Sequence, residues 1–289
     1  MIPAGFDYHA PRSVADALRL MGTLGSDAKW LAGGHSLLPM MKLRFAQPAH
    51  LIDLNRIDEL RGIREEAGGA TIVIGAMTVE SALIDSALLQ AKVPLLPEAA
   101  KLIADPQVRN RGTIGGDIAH GDPGNDHPAL AIALDASFVL EGPKGRREVR
   151  ADGFFHGTYL TELADDEILI AIRVPAFAPS TGYAYEKLKR KTGDWATAAA
   201  AVVLRLDGGA VSHVRIALTN VAPTALRAAE AEAALLGRPL DDAAIAAAAA
   251  KAMAICDPAE DLRGDRDYKT AMAGQMVQRA IRAAAARCR

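Results

Sequence analysis

The chain has 289 residues and a mass of 30.4 kDa, which suits two or three modest domains. Half of it is hydrophobic but only 4% is aromatic, and 59 alanines mean that Ala, Val, Leu and Ile must build the core. A net charge of -2 excludes the basic field that nucleic acid needs, and two cysteines, Cys256 and Cys288, exclude a disulfide framework, a four-cysteine zinc site or an iron–sulfur cluster.

The first residues, Met1 to Asp7, have no charged n-region and no apolar h-region, so no signal peptide is expected. Ser13 to Leu24 carries Val14, Ala17, Leu18, Met21 and Leu24 at helical spacing, with Ser13 as the N-cap. Ala28 to Ala32 reads as a buried strand, Leu37 to Leu43 as a short helix and Leu51 to Leu54 as a strand, forming a β-loop-α-β unit. Leu60 to Arg64 and Ala70 to Gly75 read as paired strands across Gly68-Gly69. Thr78 to Leu89 and Leu95 to Ala104 read as helices, with Thr78 and Glu80 at the first N-terminus and Asp105-Pro106 stopping the second. A polar, glycine-rich stretch follows, from Arg109 to Asp126. Pro128 to Leu134 is a helix, Ser137 to Glu141 and Arg146 to Val149 a hairpin, and Glu167 to Val174 a strand.

Pro175 to Thr181 marks a domain boundary. Beyond it, Tyr183 to Lys191, Ala196 to Leu206 and Val211 to Thr219 predict an antiparallel meander, turning at Asp207-Gly208-Gly209. The rest is alanine-rich helix: Leu226 to Leu236, Asp242 to Cys256 and Tyr268 to Arg287. Met272, Met276, Ala280, Ile281 and Ala284 share one face, as core filler. The longest apolar run, Ala243 to Ala250, is far short of a membrane span.

Four segments could carry chemistry. Ala32-Gly33-Gly34-His35-Ser36 lies between a strand and a helix, where missing Cβ atoms let a phosphate reach backbone N–H groups and the Ser36 hydroxyl. Many plain strand-to-helix turns also use Gly-Gly. Thr113-Ile114-Gly115-Gly116-Asp117 repeats that chemistry, so two loops could grip one diphosphate from two sides. Neither loop is a Rossmann or P-loop fingerprint. His120, Asp122, Asp126 and His127 could hold a metal in a hydrolase, or simply build a turn of Asx side chains. Lys187, Lys189 and Lys191 alternate onto one strand face, ordinarily a solvated one, yet Trp195 closes the run. Cations beside a flat aromatic suit a phosphorylated planar ligand. No G-x-S-x-G elbow appears, neither cysteine sits in a nucleophile motif, and Asp165-Asp166-Glu167 reads as an acidic turn.

The two glycine motifs together resemble the FAD-binding medium subunits of the molybdenum hydroxylases. Longer strings at 33–42, 103–109, 121–126, 185–191 and 271–274 resemble the carbon monoxide dehydrogenase branch of that family, and the likeness runs from Met1 to the final helix. The resemblance implies an α+β chain with the PCMH (vanillyl-alcohol-oxidase)-type FAD-binding fold. That fold has two α/β subdomains, over 1–55 and 56–176, and a C-terminal antiparallel sheet with helices over 177–289. It also implies that Ala32, Gly33, Gly34, His35 and Ser36 hold the FAD diphosphate from one side, and Thr113, Ile114, Gly115, Gly116 and Asp117 from the other. Asp126 and Lys189 match further FAD-contacting positions, and Trp195 falls where the family sets an aromatic, in some relatives tyrosine, against the isoalloxazine. No residue of this chain is expected to ligate a metal or act as a catalytic group. The implied partners are an iron–sulfur small subunit with two [2Fe–2S] clusters and a molybdopterin large subunit, in a dimer of heterotrimers. Electrons would run from the clusters to the flavin and on to a quinone. The implied location is the cytoplasm, with peripheral association at the inner face of the membrane. Two cysteines fit that division of labour and disfavour the benzoyl-CoA-reductase-type relatives, whose medium subunit carries a four-cysteine cluster loop. A heteroaromatic or aldehyde hydroxylase subunit is the alternative within the family.

Overall fold

The computed structural model describes residues 1–288 and holds three main sheets in succession along the chain. The first is parallel, in order β1-β3-β2, from β1 (Asp7–His9), β2 (Ala28–Leu31) and β3 (His50–Asp53). Between β1 and β2 runs α1 (Val14–Leu24), where the Ser13 hydroxyl accepts from the Asp16 amide at 3.1 Å and Val14, Ala17 and Met21 are buried. Between β2 and β3 runs α2 (Leu37–Lys42). The periodicity anticipated all of these except β1, whose Asp-Tyr-His carries no apolar pattern.

The second sheet is antiparallel, in order β4-β5-β10-β6-β7. Here β4 (Ile63–Glu66) and β5 (Thr71–Gly75) lead into α3 (Glu80–Asp85), α4 (Ala87–Lys92), α5 (Leu95–Ala100), α6 (Pro106–Arg109), α7 (Ile114–His120) and α8 (Asp126–Ala133). The hairpin β6 (Ser137–Gly142) and β7 (Gly145–Arg150), a small hairpin β8 (Phe155–Gly157) and β9 (Leu160–Thr161), and β10 (Ile168–Pro175) complete the layer.

Two expectations need correcting in this layer. The predicted 78–89 helix is two helices, because Ser86 breaks the run and its hydroxyl caps α4 by accepting from the Leu89 amide at 3.2 Å. Thr78 caps nothing; its hydroxyl accepts from the Gly62 amide at 3.1 Å instead. The polar, glycine-rich stretch holds a helix, α7, capped by Thr113, and just before it Asp105 caps the single-turn α6 by accepting from Val108 N at 3.0 Å. Glycines in the first turn of α7 hid it from propensity reading.

The third sheet runs β11-β12-β13-β14, from β11 (Gly182–Leu188), β12 (Ala198–Asp207), β13 (Ala210–Thr219) and β14 (Leu226–Arg227). Residues 226–227 therefore pair with β13 rather than open a helix, and α9 (Ala229–Leu235) begins after them. The chain closes with α10 (Asp242–Ala254) and α11 (Arg266–Ala285). Both faces of this sheet are covered. Ala199, Ala201 and Val203 of β12 join one core with α8, while Ala198, Ala200, Val202 and Leu204 join another with α10 and α11. Every residue of α8 is buried, as a helix wedged between two layers must be.

Candidate functional site

The first glycine motif leaves β2 and bends sharply into α2. Gly34 has φ +83°, a left-handed conformation that costs glycine little. Asn55, just past β3, donates from Nδ2 to the Ala32 carbonyl at 2.8 Å and to Asp53 Oδ1 at 2.6 Å, fixing the exit of β2. The His35 ring folds back toward the Gly33 carbonyl, 3.3 Å away, and the Ser36 hydroxyl caps nothing. Among the described residues, the amides of Gly33, Gly34, His35 and Ser36 donate to no protein acceptor.

The fold brings the second motif against the first. A Cβ on Gly33 would strike the Arg111 carbonyl and lie 2.9 Å from Gly112 Cα. A Cβ on Gly116 would lie 3.2 Å from Ala32 Cβ and 2.8 Å from Thr113 Oγ1. The two motifs are not chemically equivalent, as their likeness in sequence suggested. In the second, Ile114 N donates to Thr78 O at 3.1 Å, Gly115 N to Ala76 O at 2.9 Å and Asp117 N to Thr113 O at 3.0 Å. Gly116 N donates to Thr113 Oγ1 at 3.2 Å. The first motif offers free donors, whereas in the second the amides are spent, the glycines allow close packing on Ala76, Thr113 and Ala32, and the Thr113 hydroxyl keeps a proton. The free donors of the first motif fit a diphosphate, whose oxygens accept hydrogen bonds.

A buried polar network lies under the second motif. Asp117 Oδ2 accepts from the His127 amide at 3.3 Å, and burial pushes the Asp117 carboxyl up to about 7. The His127 ring meets both Glu80 oxygens at 2.9 Å. Burial alone would lower the imidazole, but the Glu80 charge and hydrogen bond push it up to about 9. Asp126 accepts from Lys187 Nζ at 2.6 Å and from the Tyr185 hydroxyl. Burial, with Asp126 beside it, holds Tyr185 well above the ordinary phenol range.

Lys187 thus turns inward, and β11 ends at Leu188, so the predicted three-lysine face does not form. Lys189 donates to the Leu102 carbonyl at 3.2 Å, and burial with Lys187 nearby lowers its pKa. Trp195 is 52% exposed and lies beside Gly124, where a Cβ would sit 3.0 Å from its Cδ1. The Gly124 turn is tied to the second motif, since Asn125 Nδ2 donates to the Asp117 carbonyl at 3.0 Å. All thirteen predicted residues therefore fall on this pair of loops, the network beneath them or the turn beside them.

The His/Asp group does not converge on a point. His120 leans on the Tyr159 ring at 4.9 Å, while Asp122 accepts from the Gly124 amide at 2.8 Å as an Asx turn. Asp126 and His127 are committed to Lys187 and Glu80. Among the described residues, no group of three or more His, Cys, Asp and Glu side chains could hold a metal ion. Sequence reading missed Asn55 and gave Glu80 only as a helix-start residue. Asn55 lies two residues past the end of β3, which is a usable signal, but nothing local marks Glu80 as the partner of His127.

A family model for the FAD binding domain in molybdopterin dehydrogenase matches residues 4–177, and one for the CO dehydrogenase flavoprotein C-terminal domain matches residues 183–284. The chain belongs to the carbon monoxide dehydrogenase flavoprotein family. The carbon monoxide dehydrogenase medium chain of Hydrogenophaga pseudoflava is 72% identical over 288 residues, covering 100% of both chains. The medium chain of Afipia carboxidovorans is 54% identical over 289 residues, again covering 100% of both. A solved structure of carbon monoxide dehydrogenase from Hydrogenophaga pseudoflava, lacking the Mo-pyranopterin moiety, contains a chain with 74% identity, full mutual coverage and a TM-score of 0.99. This flavoprotein is an oxidoreductase subunit with FAD as its cofactor. FAD supplies reversible one- and two-electron chemistry when bound. The chain's part is to bind it, orient it and set the charges around it.

Proposed function

We propose that this flavoprotein is the electron-transfer subunit of a heterotrimeric molybdenum carbon monoxide dehydrogenase. Electrons would reach it from the [2Fe–2S] clusters of a small partner subunit, after oxidation of substrate on a molybdopterin large subunit. It would pass them to an external acceptor, a quinone, at the inner face of the cytoplasmic membrane, within a dimer of heterotrimers. The carrying observation is the full-length likeness to two carbon monoxide dehydrogenase medium chains, with both glycine motifs and the aromatic beside them intact. The cysteine count supports the division of labour, because two thiols cannot ligate an iron–sulfur cluster.

In this reading the free amides of Gly33 to Ser36 hold the diphosphate from one side. Ala32 closes the floor there, and Thr113 to Asp117 form the wall opposite. Asp126 acts through the buried network, Lys189 places a cation at the edge of the cleft, and Trp195 lies against the isoalloxazine. The test is to purify the assembled complex and add carbon monoxide without oxygen. Bleaching of the oxidised-flavin band is expected, followed by its return on adding a quinone. A yellow complex that carbon monoxide leaves unbleached, but an aldehyde or heteroaromatic compound reduces, would transfer the assignment to a related hydroxylase.

A further inference from the structure

Trp195 stands in a segment without regular structure, after Gly193 at φ +80°, and half of its surface is open. Left to itself, such a side chain would populate several rotamers. A strap between α10 and α11 crosses to it instead. The Arg263 guanidinium carbon lies 5.6 Å from the Trp195 ring centroid, within cation–π range. Its Nη2 donates to Asp194 Oδ1 at 2.8 Å, on the residue just before the indole. Arg190 holds the other oxygen, Nε to Oδ2 at 2.9 Å, and also donates from Nη1 to the Leu262 carbonyl at 3.2 Å. Asp194 is only 4% exposed, and these two guanidiniums, Arg263 foremost, hold its carboxyl down at about 2.

The strap is itself anchored. Arg263 Nη1 reaches Asp261 Oδ2 at 3.2 Å, and Asp261 Oδ1 meets Lys269 Nζ of α11 at 3.0 Å. Lys269 is 2% exposed and donates to the Ala259 carbonyl at 2.7 Å. Asp261 and Gly264 exchange backbone hydrogen bonds at 3.1 and 3.2 Å, closing a tight turn. The buried Arg263 Nε has no acceptor among the described residues. The guanidinium is held instead by Nη1 on Asp261, by Nη2 on Asp194 and by the indole face.

We propose that Arg263 is a positioning residue for Trp195, fixing the indole at the flavin cleft through the Lys269–Asp261–Arg263–Asp194 chain that runs from α11. The inference rests on the proposed role of Trp195 as the aromatic partner of the isoalloxazine. It adds that a residue 68 positions later in the sequence decides how fully that partner is in place.

The experiment compares the assembled complex carrying Arg263→Met, Arg263→Lys or Trp195→Ala with the unmodified complex, reading FAD content, flavin emission and the flavin absorption envelope. An indole stacked on a flavin quenches its emission. Trp195→Ala sets the fully unquenched level. Arg263→Met is expected to keep wild-type FAD content, since the glycine loops are untouched, and to shift the balance between stacked and free indole roughly two- to fivefold toward free, as loss of one exposed cation–π contact should. Arg263→Lys, which keeps the cation without the fork, should recover part of the quenching. Emission that stays at the wild-type level in Arg263→Met while rising in Trp195→Ala overturns the proposal and leaves the proposed function standing. Emission that does not rise in Trp195→Ala overturns both the stacking role and this inference. A wild-type complex free of FAD overturns the proposed function itself. Asp261→Asn, which loosens the anchor but keeps Arg263, gives an independent arm: partial unquenching supports the chain of contacts, and unchanged emission refutes it.

Discussion

Gly33 lies so close to Arg111 that a methyl group on it would overlap the Arg111 carbonyl oxygen. This one approach sets the first glycine motif against residue 111, 78 positions later and two residues before the second motif. A Gly33→Ala chain must shift one loop, at a cost of about 1–3 kcal/mol where the packing cannot relax. If the diphosphate needs both loops in register, FAD affinity of the assembled complex should fall about 10- to 100-fold. Flavin titration of the deflavinated complex measures it, and unchanged affinity would refute the two-sided grip.

Lys187 and Asp126 form an ion pair with side chains 1% and 6% exposed. Lys187→Met leaves the Asp126 charge buried with only Tyr185 to hydrogen-bond it, which should cost about 3–5 kcal/mol of stability. Lys187→Met combined with Asp126→Asn should lose less than the single variant. Denaturant midpoints of the three chains test the ordering, and a double variant worse than Lys187→Met would contradict it.

His127 should make stability fall on the alkaline side. Its pKa in the fold is about 9, above its ordinary 6.5, because the Glu80 charge and hydrogen bond outweigh the cost of burial. A group bound more tightly to its proton in the fold stabilises fully below the unfolded value and loses that effect as pH rises through the folded one. Unfolding free energy should therefore decline from pH 6.5 to beyond 9, and Glu80→Gln should flatten the decline. Urea titrations across that range provide the check.

Gly182 starts β11 under the end of α11. A Cβ there would collide with the Ala284 carbonyl and lie 2.6 Å from Cys288 Sγ. Gly182→Ala should lift α11 and lower stability by about 1–3 kcal/mol, with the overlap falling on backbone that cannot rotate away. A chain as stable as the parent would show that α11 tolerates displacement.

The β2–α2–β3 unit and the β11–β13 meander were legible because their apolar residues repeat at the period of one element, with glycine at the turns. Both glycine motifs stood out in the sequence and do lie together, but α7 was not legible as a helix, since Gly115 and Gly116 argue against one locally and the Thr113 cap and burial favour it. The difference between the loops was equally hidden. Which amides are already spent depends on Ala76 and Thr78, residues distant in sequence that supply the acceptors. Lys187 and Lys189 looked alike as charges, and only the end of β11 separates a buried cation paired with Asp126 from one that donates to the Leu102 carbonyl. Arg263 sits in a polar turn that has no periodicity to read, and its partner Asp194 lies in another such turn.

Every residue of α8 is buried, and Asp126 at its start is bonded to two residues of β11. It works as a key driven between two blocks. At its first turn, α8 is bonded to β11 on one side, through Lys187 and Tyr185, and to Asp117 of the second glycine motif on the other, through the His127 amide. The outer C-terminal layer and the glycine wall therefore share one rigid anchor rather than two independent ones.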